Sequence, residues 1–366
     1  MIRTPDSGYI ASILAANESP CVSIYLPTNR GTGAEALAPV GFRNLAHRAE
    51  ELLGPAPGAA AGHIVEQLHK LEADKGFWGH ALDGVVVLAS AQRFDAFTLP
   101  RTVPERVEVG STFHVKPLLR YVQSAEPFHV LCVSRERVAL FRGNRYVLTP
   151  LTVPGVQLTL APPAATARAQ PAEPNGHAPG HGKISHPDAE RFFREVDRQI
   201  AHRVSEPSGL PLILAGMEEN LVEFRALSKN RFITPDAVHG DWTNWSLHEI
   251  REAAWRAFEK HYLARLARIR EDFGTATARG KGSGDLSDAA RAAVAGRIGV
   301  LLIDADRTVH GSVDLDTGAL NPSAEVGAGD MLDDLAELAL KKQVMVIVTP
   351  SDQMPTTTGL AAIYRY

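Results

Sequence analysis

A chain of 366 residues exceeds what one ordinary domain needs, so two or three domains are expected, and an apolar content of 45% is ample for their cores. A net charge of −4 excludes a protein that coats nucleic acid by bulk charge, which leaves any RNA contact to local patches. Two cysteines, Cys21 and Cys132, exclude a disulfide framework or a CxxC metal site, and both lie in apolar runs where a thiol acts as a small hydrophobe.

The start, MIRTPDSGYIASILAAN, lacks a charged region followed by a long apolar one, and no apolar run approaches ~18 residues. A soluble, cytoplasmic protein with no membrane partner is expected. Ser7 to Asn17 is amphipathic, with Ile10, Ile13 and Leu14 at helical spacing. CVSIYL, from Cys21 to Leu26, reads as a strand ended by Pro27. A helix follows from about Pro39 to Leu53, with Phe42, Leu45 and Ala49 on one face, and a second from about Gly62 to Lys75. The β-branched run from Gly84 to Ser90 predicts a buried strand, with Phe94 to Leu99 as its partner. FHVKPLL, Phe113 to Leu119, closes this first domain, 1–123.

The second domain, 124–238, opens with two apolar runs, Phe128 to Val133 and Arg137 to Gly143. Between Pro162 and Pro187 almost no large apolar residue occurs; such a segment cannot repay its ordering entropy, so a mobile loop 162–187 is expected. Asp188 stands at an N-cap position for a helix from Ala189 to Val204, whose inward face is Phe192, Phe193, Val196 and Ile200. A strand, LILAG, ends at Gly216, and a helix from about Glu219 to Lys229 follows.

The third domain, 239–366, begins with Trp242 and Trp245. Ser246 and Glu249 form a capping box that opens a long helix to about Phe273, with Leu247, Ile250, Ala254, Phe258, Leu266 and Ile269 as its core stripe. A helix from Asp285 to Ala295, a strand from Ile298 to Ile303, a helix from Asp330 to Lys342 and strands at Val344–Val348 and Leu360–Tyr366 complete the pattern. Alternation of this kind indicates α/β/α layers.

In order, these three sections resemble the archaeo-eukaryotic peptide release factors and Pelota. The resemblance is carried by CVSIYLP, VVVLAS and FHVKPLL in the first section, RFFREVDRQI and LILAG in the second, and AARAAVAGRIGVLLID in the third. CVSIYLPT, FHVKPLL and AAIYRY are similar to the bacterial branch of that superfamily. The fold it implies is α/β in three domains: a mixed-sheet N-terminal domain, a ribonuclease-H-like middle domain and an α/β/α kink-turn-RNA-binding-like C-terminal domain. Two departures matter. The loop TARAQPAEPNGHAPGHGK holds no Gly-Gly-Gln, and the first domain has no stop-codon-reading Asn-Ile-Lys-Ser. Stop-codon-dependent release is therefore not implied. A factor that occupies a ribosomal site, for rescue or hibernation, is.

Arg191, Arg194, Arg198 and His202 stand at i, i+3, i+7 and i+11, one helix face whose guanidinium groups could meet successive phosphates. The other reading is a solvated face, since Glu190, Glu195 and Asp197 partly neutralise it. His181 and Lys183, with His177 and His186, place further RNA contacts or a solubilising tract on the loop. Trp242 and Trp245 could stack on bases or form a hydrophobic staple at helix entry. His114 and Lys116 suggest acid–base chemistry, yet no nearby residue completes a triad.

A rival motif is Asp304-Ala-Asp306 after a strand, which fits the pattern of haloacid-dehalogenase-type phosphatases, the first Asp as nucleophile and the second as acid. Asp330, Asp333 and Asp334 would supply magnesium ligands. Only about two dozen residues intervene, too few for the βα units that fold places between these motifs. The structural alternative has Asp304 and Asp306 ending a strand and Asp330 opening a helix.

The expected protein is a ribosome- or RNA-associated translation factor homologue of rescue or hibernation type, without peptidyl-tRNA hydrolase activity. It is expected to have no catalytic residue, cofactor or metal, and no DNA partner. Its expected partners are the ribosome or ribosomal RNA and a translational GTPase. The alternatives are a metal-dependent phosphohydrolase using Asp304 and Asp306, or a protein-interaction module without RNA contact.

Overall fold

The computed structural model describes residues 5–15, 18–29, 34–55, 58–154, 159, 186–324 and 329–366. In the first segment Asp6 accepts from the Tyr9 N–H (2.8 Å) and so caps α1 (Ser7–Leu14). The apolar run that follows is β1 (Cys21–Pro27), and α2 (Ala34–Leu53), α3 (Ala59–Glu72) and the one-turn α4 (Lys75–Trp78) come next. Then come β2 (Gly84–Ala89), β3 (Phe94–Leu99), β4 (Arg106–Gly110) and α5 (Lys116–Ser124). Alternate residues of β1 and β2, among them Val22, Ile24, Val85 and Val87, pack under Phe42 and Leu45 of α2, Ile64 and Leu68 of α3, and Trp78. The sheet runs β3-β2-β1-β4, and every pair is antiparallel, where a mixed sheet was the expectation. The connection explains the difference. One crossover helix would return the chain to the starting end of the sheet; a pair of helices delivers it to the other end, so β2 runs against β1.

The middle segment holds β5 (Phe128–Val133), β6 (Val138–Gly143), β7 (Leu148–Pro150), α6 (His186–Ile200), a π-helical turn at Ala201–Ser205, α7 (Glu206–Ser208), β8 (Leu212–Gly216), α8 (Glu218–Leu227) and β9 (Ile233–His239). Its sheet order is β7-β6-β5-β8-β9, antiparallel on the β6 side and parallel on the β8 side. This is the mixed five-stranded arrangement that the ribonuclease-H-like expectation requires. Both faces are covered, so the strands read as continuous apolar runs. Leu131, Val133, Leu212 and Leu214 pack on α6 and α8 through Phe192, Phe193, Val196 and Phe224. Phe128, Val130, Cys132 and Ile213 face Ile250, Ala254, Trp255 and Phe258 on the opposite side.

Those last four residues belong to α9 (Leu247–Ala278), entered through a 3₁₀ turn at Trp242–Asn244. The capping box is formed: the Glu249 N–H donates to Ser246 Oγ (3.3 Å), and the Ser246 N–H donates to Glu249 Oε2 (2.7 Å). Leu247, expected in the core stripe, is exposed, because it is the first helical residue and lies before the stripe turns inward. Beyond α9 come β10 (Gly282–Ser283), α10 (Leu286–Val294), β11 (Ile298–Asp304), the hairpin of β12 (Gly311–Val313) and β13 (Leu320–Pro322), α11 (Met331–Lys341), β14 (Met345–Thr349) and β15 (Leu360–Tyr364). The sheet β10-β15-β11-β14 is mixed, with β11 and β14 parallel.

Two compact units result: Met1–Ser124 together with Leu266–Tyr366, and Ala125–Arg265. Polar contacts tie the two segments of the first unit together. Gln123 donates from Nε2 to the Val346 carbonyl and accepts at Oε1 from the Val348 N–H, both at 2.7 Å, so its side-chain amide pairs with β14 as a neighbouring strand would. Asp333 Oδ1 accepts the Val115 and Lys116 N–H groups at 3.0 and 2.5 Å, and Lys116 Nζ, buried, pairs with the equally buried Asp330. Among the described residues no helix is long and apolar enough to cross a membrane.

Candidate functional site

The inward stripe of α6 fixes what its other face presents. Phe192, Phe193, Val196 and Ile200 are buried, so Arg191, Arg194 and Arg198 stand on the solvent side. The helix begins at His186, ahead of the expected Ala189, and Asp188 lies in its first turn instead of capping it. Pro187 accounts for the shift: its fixed φ and missing N–H suit the first turn of a helix.

The far end also departs from expectation. An unbroken α-helix would carry position 203 beneath Ile200, and Arg203 would point at the core. The wider π turn places the next inward residues four and five positions on, and Val204 and Ser205 are the buried ones. Ser205 Oγ accepts from Asn230 Nδ2 (2.9 Å), while Arg203 stays at the surface and donates to the Pro154 carbonyl (2.7 Å). Asp197 was expected to neutralise the arginine face. It is buried instead, and accepts from the Ser228 hydroxyl and from the Lys229 N–H (2.9 Å), which fixes the turn after α8.

Between that turn and α6 lies an open cleft of about 980 Å³, lined among others by Arg194, Asp197, Arg198, His202, Arg203 and Lys229. Three of the four described candidates thus share one cleft. Arg191 is exposed on the same helix but is not among the lining residues, and His181 and Lys183 lie outside the described residues. Arg203 and Lys229 were not legible as site residues. Helical spacing puts Arg203 inward, and Lys229 reaches the cleft only through the Asp197 contact. Two arginines are matched by glutamates, Arg194 to Glu190 at 3.3 Å and Arg198 to Glu195 at 2.7 Å, and His202 Nδ1 lies 3.5 Å from Glu206 Oε2. The hydrogen bond from Arg198, followed by that from Gln199, lowers the Glu195 pKa.

The acids of the rival motif are occupied by structure. Asp304 Oδ1 accepts from the Asp306 N–H (2.8 Å), the Arg307 N–H (3.1 Å) and Ser351 Oγ (2.7 Å), and Asp306 pairs with Arg120. Asp330 accepts from the Leu332 and Val309 N–H groups, both at 3.1 Å, besides holding Lys116. Among the described residues no group of three His, Cys, Asp or Glu could hold a metal ion. Oδ1 of Asp304 is thus committed to the turn that ends β11.

His114 does find a carboxylate far away in sequence: Nδ1 lies 3.3 Å from Asp333 Oδ2. Its Nε2 is buried without a partner among the described residues, and the pair joins the two segments of the first unit. Burial alone would raise the Asp333 pKa; the charges of His114 and Lys116 and the backbone donors outweigh it and hold the carboxyl below its usual range. Trp242 is buried with the Arg137 guanidinium 5.0 Å from its ring centroid, and Trp245 packs on the cluster that contains Ile250. That is the staple arrangement, and it leaves Trp242 no free face for a base.

The middle segment thus combines a mixed five-stranded sheet covered on both faces with one flanking helix bearing a row of arginines, in a sequence that holds no Gly-Gly-Gln. Residues 127–297, just under half of the chain, match the model of bacterial archaeo-eukaryotic release factor family 3, so this segment is similar to that family. Among solved structures, an archaeal translation termination factor is similar at 16% identity, over 98% of this chain and 97% of that one, with a TM-score of 0.26. Archaeal Pelota, in a model of its ribosome-bound form with ABCE1, is similar at 14% identity over 75% and 72% of the two chains, with a TM-score of 0.42. Archaeoglobus fulgidus Pelota follows at 14% identity over 77% and 79%, with a TM-score of 0.32. No curated protein matches the chain.

Proposed function

We propose that this protein is a ribosome- or ribosomal-RNA-associated translation factor of rescue or hibernation type that does not hydrolyse peptidyl-tRNA. One observation carries the reading: Arg194, Arg198, His202, Arg203 and Lys229 gather around a single cleft in the family-matching segment of a protein whose net charge is −4. Cations concentrated on one concave surface of an acidic chain suit a ligand with a repeating negative charge. Guanidinium groups about one helical turn apart meet successive phosphates, and such contacts position a protein without reading sequence. Arg191 extends the row along α6. The segment 162–185, with His181 and Lys183, would reach toward the peptidyl-transferase centre, and the C-terminal segment would meet ribosomal RNA or a translational GTPase. The absence of Gly-Gly-Gln removes the group that positions the hydrolytic water in the resembling factors.

The test is co-sedimentation of the protein with vacant and translating ribosomes over a salt series. Saturable binding that weakens as salt rises is expected, together with a loss of at least about tenfold for R191E/R194E/R198E. Unaltered affinity in that variant would overturn the phosphate-contact assignment, and no binding at low salt would overturn the ribosomal reading.

A further inference from the structure

Two arginines and a histidine of this helical stretch are each met by a glutamate of the same stretch. Glu190 holds Arg194 from one turn upstream, Glu195 takes Arg198 through two nitrogens at 3.2 and 2.7 Å, and Glu206 lies 3.5 Å from His202 across the π turn. Gln199 adds a hydrogen bond that steadies Glu195 (2.7 Å). The Lys229 ammonium, on the opposite wall, has no carboxylate partner among the described residues, and Arg203 donates from one nitrogen to a backbone carbonyl. The cleft is thus basic in composition, but much of its positive charge is already answered.

Ion pairs this exposed contribute little to stability. Their consequence is for binding. A phosphate that approaches Arg194, Arg198 or His202 must displace a carboxylate that is tethered beside the cation and so competes at high effective concentration. We propose that Glu206 in the cleft, and Glu190 and Glu195 beside it, are specificity-determining residues, built-in competitors that hold its affinity for generic RNA below working concentrations. The inference rests on the phosphate-contact reading above and deepens it. A lone flexible strand also loses conformational freedom when it binds, and has no further contacts to offset the displacement. A ligand that engages other surfaces of the chain as well tolerates the same cost. Specificity of this kind comes from a repulsive element set against the wrong partner.

The probe is a 5′-labelled oligouridylate of thirty nucleotides, titrated with the full chain by fluorescence anisotropy at low salt. E190Q/E195Q/E206Q should bind it roughly tenfold more tightly than the unchanged protein, as release of two exposed ion pairs and removal of a third carboxylate imply. The matched control is E66Q/E136Q/E219Q, which makes the same change in net charge on exposed glutamates outside the cleft, one of them also paired, to Lys70 at 2.7 Å. Its gain should be less than about twofold, since remote charges are screened. Equal gains in the two triples would show a bulk charge effect and overturn the proposal, and so would an unchanged affinity in the cleft triple. R191E/R194E/R198E separates the two readings. Loss of binding there with indistinguishable glutamate triples sinks only the competitor role, whereas no loss sinks the phosphate contact itself.

Discussion

Asp334, on α11, shows how crowding of carboxylates tunes a single residue. Burial raises its pKa, and the neighbouring charges of Asp333, Glu337 and Asp330 add to the effect against one hydrogen bond from the Val313 N–H, so the carboxyl is pushed up to about 7. In the unfolded chain the same group titrates near its ordinary value of 3.8. Between those values the unfolded state has lost a proton that the folded state keeps, so stability falls as pH rises from about 4 to about 7, and above that the loss is complete. Asp334→Asn keeps an oxygen for the Val313 N–H and removes the titration. The expected outcome is a gain of about 1–2 kcal/mol in urea unfolding at pH 8, shrinking toward zero at pH 4. A gain that stays constant across that range would refute the assignment. The same residue shows what sequence could tell. Asp330, Asp333 and Asp334 were visible as an acidic cluster, but their work, one on Lys116, one on His114 and the Val115 backbone, one on Val313, joins positions too far apart for any local pattern to reveal.

At the scale of elements, strands buried on both faces were legible because nothing but an unbroken apolar run can occupy the middle of a covered sheet, as GVVVLA, FHVLCV and LILAG do. Short edge strands were not. β7 and β9 each contain a proline, β9 a charged Asp236 as well, and their register comes from partners already in place. The π turn was invisible for a similar reason, since widening α6 by one residue is favoured only once Asn230 offers Ser205 a partner. The glycine that ends LILAG, by contrast, has a local cause. A Cβ on Gly216 would stand 2.6 Å from the Val133 carbonyl oxygen on the parallel neighbour β5, a backbone atom that cannot swing away. Gly216→Ala should therefore cost about 1–3 kcal/mol by thermal or urea unfolding, with the far-UV circular dichroism unchanged. Ala215→Gly, at the adjacent position, removes only one methyl and gives the scale for an ordinary cavity. If both variants cost the same, the close approach of β8 to β5 is not what selects the glycine.

For the whole molecule, the consequential feature is that one compact unit is assembled from both ends of the chain, with residues 125–265 folded as a unit of their own between them. Hydrophobic contact is plentiful within each segment, yet the bonds that join 114–123 to 304–348 are polar and specific: the Gln123 amide on β14, Arg120 on Asp306, His114 on Asp333, and Lys116 on Asp330. Such bonds choose a register more than they add affinity, because a buried ion pair barely offsets its own desolvation. Their removal is nonetheless costly when only one partner goes. Asp330→Asn preserves the N-cap to Leu332 but leaves the Lys116 ammonium buried opposite a neutral amide, a loss of about 3–5 kcal/mol. Pairing it with Lys116→Met withdraws the stranded charge and should restore most of that loss, since a well-packed apolar side chain often replaces such a pair with little penalty. The measurement is a double-mutant cycle in urea on the full chain. A large negative coupling means that the two ends are locked by this pair, and additive costs mean that Lys116 reaches water and the segments are held by the apolar contacts around it.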